Sequence, residues 1–321
     1  MAILMDEEKL FKLNPKMEYS VKTVDTGSRS ELKIITVHDF YENPEAVRAV
    51  FLNAPHSRCP ASTGASPWWR ANFIADLRHV YSKIISLVDE HIEPGVKINL
   101  ANSKQLQYLA SRAVDNYIDG CPHEHLRKFL EWHRIKYNRK DPWFHWRTYD
   151  IPHVDATNYS GTVWLNDNEK CQGGTGFYQH IETGVASMED IQAELLDKDT
   201  VYQKAFFKKI NKRSKDVGKF LQLSGTNDVA RLYHVEEMKF NTATIYSGNF
   251  FHNAYLKEGY FKDSYRLSQM LWFPAKENKR LLPITQIARK LVHEIPPSWN
   301  CFSNKNITLD DYDRILRYSQ D

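Results

Sequence analysis

The apolar positions of residues 74–92, IADLRHVYSKIISLVDEHI, fall at Ile74, Leu77, Tyr81, Ile84, Ile85 and Val88. Steps of three and four residues put such side chains on one stripe of a helix, so an amphipathic α-helix is predicted here, closed by Pro94 and Gly95. Upstream, LKIITVHDF at 32–40 is rich in β-branched residues and predicts a strand. Asn43 follows as a candidate cap for a helix whose first turn carries Pro44 and Glu45. Further helices are expected near 104–118 and 123–132. The N-terminal third thus reads as a strand or two with covering helices.

From about residue 143 the texture changes to short runs rich in Trp, Tyr, Val, Thr and Ile: WFHWRTY, SGTVWLN, GGTGFY, FNTATIY and LSQMLWF. Close-set short strands imply an antiparallel sandwich or barrel. The glycines 173, 174 and 176 lack the lysine and following helix of a phosphate loop, and read as a tight turn between strands. About 60 residues then break the rhythm. Ser187 with Asp190 three positions on opens like a capping box, and the basic stretch from Lys204 to Lys219 carries Phe206, Phe207 and Phe220 as the inward side of an amphipathic helix. A helical insertion at about 181–238 is the simple account, placed where it can serve as a lid. Segments 283–295 and 308–319 predict helices in the tail. The whole, 1–321, is expected to be one α+β domain: a strand and helical region at 1–142, a β core at 143–275 with its insertion, and a helical tail at 276–321.

Composition sets outer bounds. With 42% hydrophobic and 13% aromatic residues the chain can bury a large core. Forty-three Lys and Arg against 40 Asp and Glu leave a net charge of +3, no global reason to expect nucleic acid. Cys59, Cys121, Cys171 and Cys301 form no CxxC pairs and read as free thiols of a reducing compartment. The N-terminus lacks the basic flank and apolar core of a signal peptide, and no run reaches the roughly 20 apolar residues of a membrane span. A soluble, cytoplasmic protein is expected.

Candidate chemistry starts at His153 and Asp155 in YDIPHVDATNYSGTVWLN. On an extended strand residues i and i+2 share a face, so this imidazole and carboxylate can bind one ion. An HxD alone says little. Downstream, His252 follows FNTATIYSGNFF at the end of a predicted strand, and Arg266 opens RLSQMLWF with Ser268 on the same face. Two His and one carboxylate on one side of an ion leave open positions, the arrangement of non-haem Fe(II) oxygenases. A guanidinium one strand away suits the far carboxylate of a dicarboxylate such as 2-oxoglutarate, with the Ser268 hydroxyl assisting. Arg266 could instead pair on the surface with Glu258 or Asp263. Trp68 and Trp69 read as core packing, and His123 and His125 as residues at a helix start.

The order HVD, TVWLND, GGTGFY, SGNFFHNAY, YRLSQMLWF resembles the Fe(II)/2-oxoglutarate dioxygenases, nearest in texture to their prolyl-4-hydroxylase-like branch, over roughly 143–275. The resemblance implies a double-stranded β-helix (jelly-roll) core, with His153, Asp155 and His252 as Fe(II) ligands and Arg266 as the anchor of the 2-oxoglutarate cosubstrate. It implies O₂-dependent oxidation with release of succinate and CO₂. Trp164 stands where the family often has a tyrosine touching the cosubstrate, the last-strand cation is Arg rather than Lys, and Thr175 comes one position early. These departures count against carrying over proline as the substrate, which stays open between a small molecule and a protein side chain. The related halogenases carry a small residue at the position of Asp155, so hydroxylation or desaturation is expected rather than halogenation. Two other readings stand beside this one: a cupin-like metal enzyme without oxidative chemistry, which would not need Arg266, and a non-catalytic jelly-roll binding module.

Overall fold

The computed structural model describes residues 7–53, 56–58, 68–71, 73–74, 77–96, 106–112, 152, 154–155, 159–210, 225–226, 228–255 and 266–273. A short helix α1 (Glu7–Leu10) precedes strands β1 (Glu18–Asp25) and β2 (Glu31–His38), helix α2 (Pro44–Asn53), strands β3 (His56–Arg58), β4 (Trp68–Ala71) and β5 (Phe73–Ile74), helix α3 (Arg78–His91) and strand β6 (Leu106–Arg112). Then come β7 (Tyr159–Trp164), β8 (Gly174–His180), helices α4 (Met188–Leu195) and α5 (Thr200–Ile210), and strands β9 (Ala230–Glu237), β10 (Thr242–Ser247), β11 (His252–Tyr255) and β12 (Arg266–Phe273). The fold is α+β. Its strands make two antiparallel sheets, one ordered β1-β2-β10-β7-β12-β6-β4-β3 with β5 also pairing β6, the other β11-β8-β9. This arrangement is compatible with a β-sandwich.

Alternation divides the large sheet into two unlike faces. Ile35, Val37, Val163, Ala243, Ile245, Leu267, Leu271 and Phe273 are buried in one cluster with Val80, Tyr81, Ile84, Leu87 and Val88 of α3 and Val47 and Phe51 of α2. The stripe predicted on α3 therefore covers this face, and each such side chain contributes about 1.5–3 kcal/mol gross on leaving water. The opposite face is polar. Directly paired positions place Thr36, Thr244 and Thr162 in one row, Ile34, Tyr246 and Ser160 in the next, and Trp164 beside Ser268. Ser160, Thr162, Thr244, Arg266 and Ser268 are all buried. That face meets the small sheet, where Phe177 packs edge-on against Tyr246 at 5.0 Å and the Thr36 hydroxyl donates to Glu236 at 2.8 Å.

Several expectations are corrected. Residues 106–112, read as part of a helix over 104–118, form β6, paired to β12 from Arg266↔Arg112 to Met270↔Tyr108. LQYLASR has helical propensity, and five residues of non-local pairing override it. The helix read from residue 74 starts at Arg78, because Phe73 and Ile74 pair with β6. The N-terminal third is accordingly richer in strand than expected, with β1 to β6 all preceding residue 113. The insertion keeps its two helices, and Ser187 and Asp190 do form a reciprocal capping box. Yet 230–237, counted within 181–238, is strand β9. Phe177 pairs with His234 while Tyr178 pairs with Leu232, so Tyr233 is an extra, bulged residue that breaks the period of two. On α5, Phe206 and Phe207 are buried while Lys204, Lys208 and Lys209 are exposed. The glycines do not make a tight turn: residues 165–173 separate β7 from β8, Gly173 (φ 84°) precedes β8, and Gly174 and Gly176 lie within it, Gly174 with φ 156° where a Cβ would stand 2.0 Å from the Glu236 carbonyl oxygen.

The segment 143–149, the residues 123–132 expected to be a helix, with His123 and His125, the remainder of 104–118, residues 211–220 with Phe220, the tail from 276, and Cys59, Cys121 and Cys301 lie outside the described residues. So do Glu258, Asp263 and the side chains of Trp68 and Trp69. Among the described residues no helix is long and apolar enough to cross a membrane.

Candidate functional site

A buried polar layer between two sheets is costly unless its groups are paired or serve a ligand. Here it has two charged ends. At one end lies Asp155, 7% exposed, whose backbone N–H donates to the Gly248 carbonyl at 2.8 Å and whose Oδ2 accepts the Ser160 hydroxyl. His252, 5% exposed, faces it with Nε2 3.3 Å from the same Oδ2. His252 opens β11 after a four-residue link from β10, rather than ending the preceding strand as the sequence implied. Its Nδ1 lies 2.9 Å from the Phe250 carbonyl, which only an N–H can satisfy, so the hydrogen-bond network assigns the proton to Nδ1 and leaves Nε2 facing Asp155.

Burial alone would push the His252 pKa down. The Asp155 carboxylate outweighs it, helped by the Phe250 carbonyl, and holds the value above that of an ordinary histidine. His252 Nε2 and Asp155 Oδ2 thus face one another directly, 3.3 Å apart. The same two atoms suit a shared cation. Donors about 2.1 Å from one ion and at right angles around it stand about 3.0 Å apart, close to the separation seen. Among the described residues no group of three His, Cys, Asp or Glu gathers to hold a metal. Two of the three expected donors are brought together, and His153 lies outside the described residues.

At the other end stands Arg266, 3% exposed, its guanidinium 4.9 Å from the centre of the Trp164 ring. The reading of Arg266 as a surface residue is thereby overturned. Ser268 shares its face, and the Arg266 Nη1 reaches the Ser268 hydroxyl at 3.5 Å. Trp164 is fully buried, with Nε1 donating to Thr244 Oγ1 at 3.4 Å. The strand start is pinned from the side, since Asn166 Oδ1 accepts the Leu267 N–H at 2.6 Å and the Leu165 N–H reaches the Leu267 carbonyl at 3.1 Å. Arg266, Ser268 and Trp164 therefore lie together as the sequence implied, and Asn166 is a supporting residue it did not single out.

Other residues emerge only here. Ser160 orients Asp155, and Tyr246 lies edge-on to the His252 ring at 5.0 Å. Burial pushes the Tyr246 hydroxyl well above its usual pKa; the Asp155 carboxylate adds to this and the Arg266 guanidinium opposes it. Phe177 lies between His252 and His234, and the latter sits 3.2 Å from Glu236. All these sit at alternate strand positions, which is the one signal by which sequence inspection could have gathered them.

The link before His252 is clamped by the insertion. Asn249 Nδ2 donates to Glu189 at 2.9 Å, the Met188 N–H donates to the Asn249 carbonyl at 2.9 Å, and the Phe251 N–H donates to the Ala186 carbonyl at 2.9 Å. Asp190, through its two oxygens, accepts the Ser30 hydroxyl and the N–H groups of Ala186 and Ser187. The start of α4 is thus part of the frame that positions His252. No protein-family model and no curated protein matches this chain.

Proposed function

We propose that this chain is an Fe(II)- and 2-oxoglutarate-dependent oxygenase, hydroxylating a small molecule or a protein side chain with release of succinate and CO₂. The observation that carries this reading is a buried polar face with the Asp155–His252 pair at one end and a buried, ring-stacked Arg266 at the other. Arg266 is what separates it from a non-oxidative metal enzyme, because a guanidinium held there suits a carboxylate and a bare metal centre has no use for it.

A double-stranded β-helix core is part of the proposal. It is supported by the nesting of pairs, β8 with β9 in the small sheet and, outside them along the chain, β7 with β10 and β6 with β12 in the large sheet, as in a long hairpin rolled up. The Asp155 segment, hydrogen-bonded to the end of β10, takes its place in that nesting.

The donor set fits the group. His252 and Asp155, with His153, would hold the metal through two imidazoles and a carboxylate, and Arg266 and Ser268 would take the far carboxylate of the cosubstrate. When bound, Fe(II) and 2-oxoglutarate supply the O₂-driven oxidation. The protein's own residues orient and exclude water: Ser160 holds the Asp155 carboxylate, the Phe250 carbonyl fixes the His252 tautomer, and Phe177 and Tyr246 seal the sheets beside them. A carboxylate at Asp155 leaves no room for a halide and favours hydroxylation. A reducing, cytoplasmic setting suits both Fe(II) and the free thiol of Cys171. The test is substrate-dependent succinate formation by the full chain with Fe(II), 2-oxoglutarate and O₂ across pooled metabolites and peptides, beside a His153→Ala control. Equal succinate from both proteins would sink the assignment.

A further inference from the structure

We infer that the outer edge of β1 is a self-association surface, which pairs antiparallel with β1 of a second copy of this chain and is centred on Ser20. Strand β1 begins the large sheet, is joined to β2 along all eight of its residues and has no strand on its other side among the described residues. Residues Glu18 to Thr23 are all exposed. A free edge invites a further strand unless a bulge, a proline or a charge guards it. The register with β2 runs unbroken from Glu18↔His38 to Asp25↔Glu31, and no proline interrupts it. Tyr19 and Val21, 43% and 40% exposed, stand two residues apart on one face of this edge. They sit opposite Val37 and Ile35 of β2 and so continue the apolar face that α3 covers, with the Tyr19 ring 5.2 Å from that of His91 at the end of the helix.

Lys22 is the charge that could guard the edge, and whether it does depends on what lies opposite. Directly opposed residues of an antiparallel ladder turn their N–H and C=O groups the same way, so a strand paired with its own copy about a two-fold axis is centred on a residue. Centring on Lys22 lays the two lysines against each other. Centring on Val21 lays Lys22 against Ser20 and Glu18 against Val24. Centring on Ser20 lays Glu18 against Lys22 and Tyr19 against Val21, each pair twice. The faces agree with this register, since Glu18, Ser20 and Lys22 share one side of β1 and Tyr19 and Val21 the other. Opposite charges, and an aromatic ring beside a β-branched chain, are the cross-strand pairs that stabilise a sheet. Each charged and each large apolar side chain from Glu18 to Lys22 thereby meets a complementary one, and the two large sheets become one continuous sheet.

The test is sedimentation velocity of the full chain. One strand edge is a small interface, so the wild type is expected to be dimeric at about 100 μM and to dissociate on dilution towards about 1 μM. Glu18→Lys and Lys22→Glu each set like charges face to face twice, and each should weaken the dimer by about tenfold or more. The double variant Glu18→Lys/Lys22→Glu only exchanges the two members of each pair and should restore the wild-type dissociation constant. Both side chains are exposed, so the variants should fold as the wild type does, which far-UV circular dichroism checks. If one single variant misfolds, the other carries the comparison against wild type. A wild type that stays monomeric at about 100 μM would overturn the inference. A dimer indifferent to the single variants would overturn it too, by placing the interface elsewhere. So would folded single and double variants that are all equally weakened, because the charges would then not lie opposite one another.

Discussion

Replacing Gly174 with alanine should unfold this protein far more readily than any change of one methyl group suggests. The added Cβ would stand 2.0 Å from the Glu236 carbonyl oxygen, 2.9 Å from its carbon and 3.0 Å from the Glu237 Cα. Carbon and oxygen settle near about 3.4 Å, so β8 and β9 must part by more than about 1 Å, enough to break the neighbouring ladder hydrogen bonds. Two such bonds are worth about 0.5–1.5 kcal/mol each, and the backbone at φ 156° adds about 1–3 kcal/mol for a residue with a side chain. The total is about 2–6 kcal/mol, a large part of the roughly 5–15 kcal/mol by which domains are stable. Gly184→Ala is the control: its φ is 72°, but nothing lies within 4 Å of the new methyl, so only about 1–2 kcal/mol for the left-handed backbone is expected. Urea unfolding followed by far-UV circular dichroism measures both. If the Gly174→Ala midpoint fell no further than that of Gly184→Ala, the close approach of β8 to β9 would be refuted.

The remaining expectations follow the site and its frame. Arg266→Met should leave the stability of the ligand-free protein equal or slightly raised, since a buried cation is replaced by an apolar chain of like length, while 2-oxoglutarate affinity falls by more than about 30-fold; a large loss of stability with unchanged binding would make Arg266 purely structural. Burial alone would raise the Glu236 pKa, but its hydrogen bonds from His234 and Thr36 win and hold it below the ordinary value. A lowered folded pKa means stability that is present above the unfolded value and lost as pH falls through the folded one, so Glu236→Gln should flatten the acid limb of a stability-versus-pH curve; parallel limbs for the two proteins would count against it. The Cys171 thiol is pushed up by burial to about 11, so at pH 8 only about 0.1% is thiolate; iodoacetamide labelling mapped by mass spectrometry should rise about tenfold per pH unit between pH 8 and 10, and a plateau below pH 9 would contradict this. Ser187→Ala should cost about 1 kcal/mol through the lost cap of α4 and weaken Mn(II) binding, because the same turn clamps the link before His252; unchanged Mn(II) affinity would show that the clamp does not reach the site.

Much of this architecture is legible without coordinates wherever a property is local. The stripe on α3 and the capping box at Ser187 follow from spacings of three to four residues, and the strands at 159–164, 242–247 and 266–273 from local runs of β-branched and aromatic residues, all of which depend on neighbours along the chain. His252 and Arg266 were legible as candidates because each stands at a strand end in an order that makes chemical sense together, although His252 opens β11 rather than closing the strand before it. What escaped is what another strand decides. Leu106–Arg112 is a strand because β12 pairs with it, against its own helical propensity. Strand β9 hides its alternation in the Tyr233 bulge, a feature of its register with β8. Ser160, Asn166 and Tyr246 are ordinary residues in their own segments and take on roles at the site only because pairing of β7 with β10 and β12 sets them on one buried face. Residue type and spacing thus determined which groups have the chemistry, while long-range pairing decided which of them meet. Bringing strands together is paid for by burial and hydrogen bonding summed over the whole sheet, and no single segment of the sequence carries that sum.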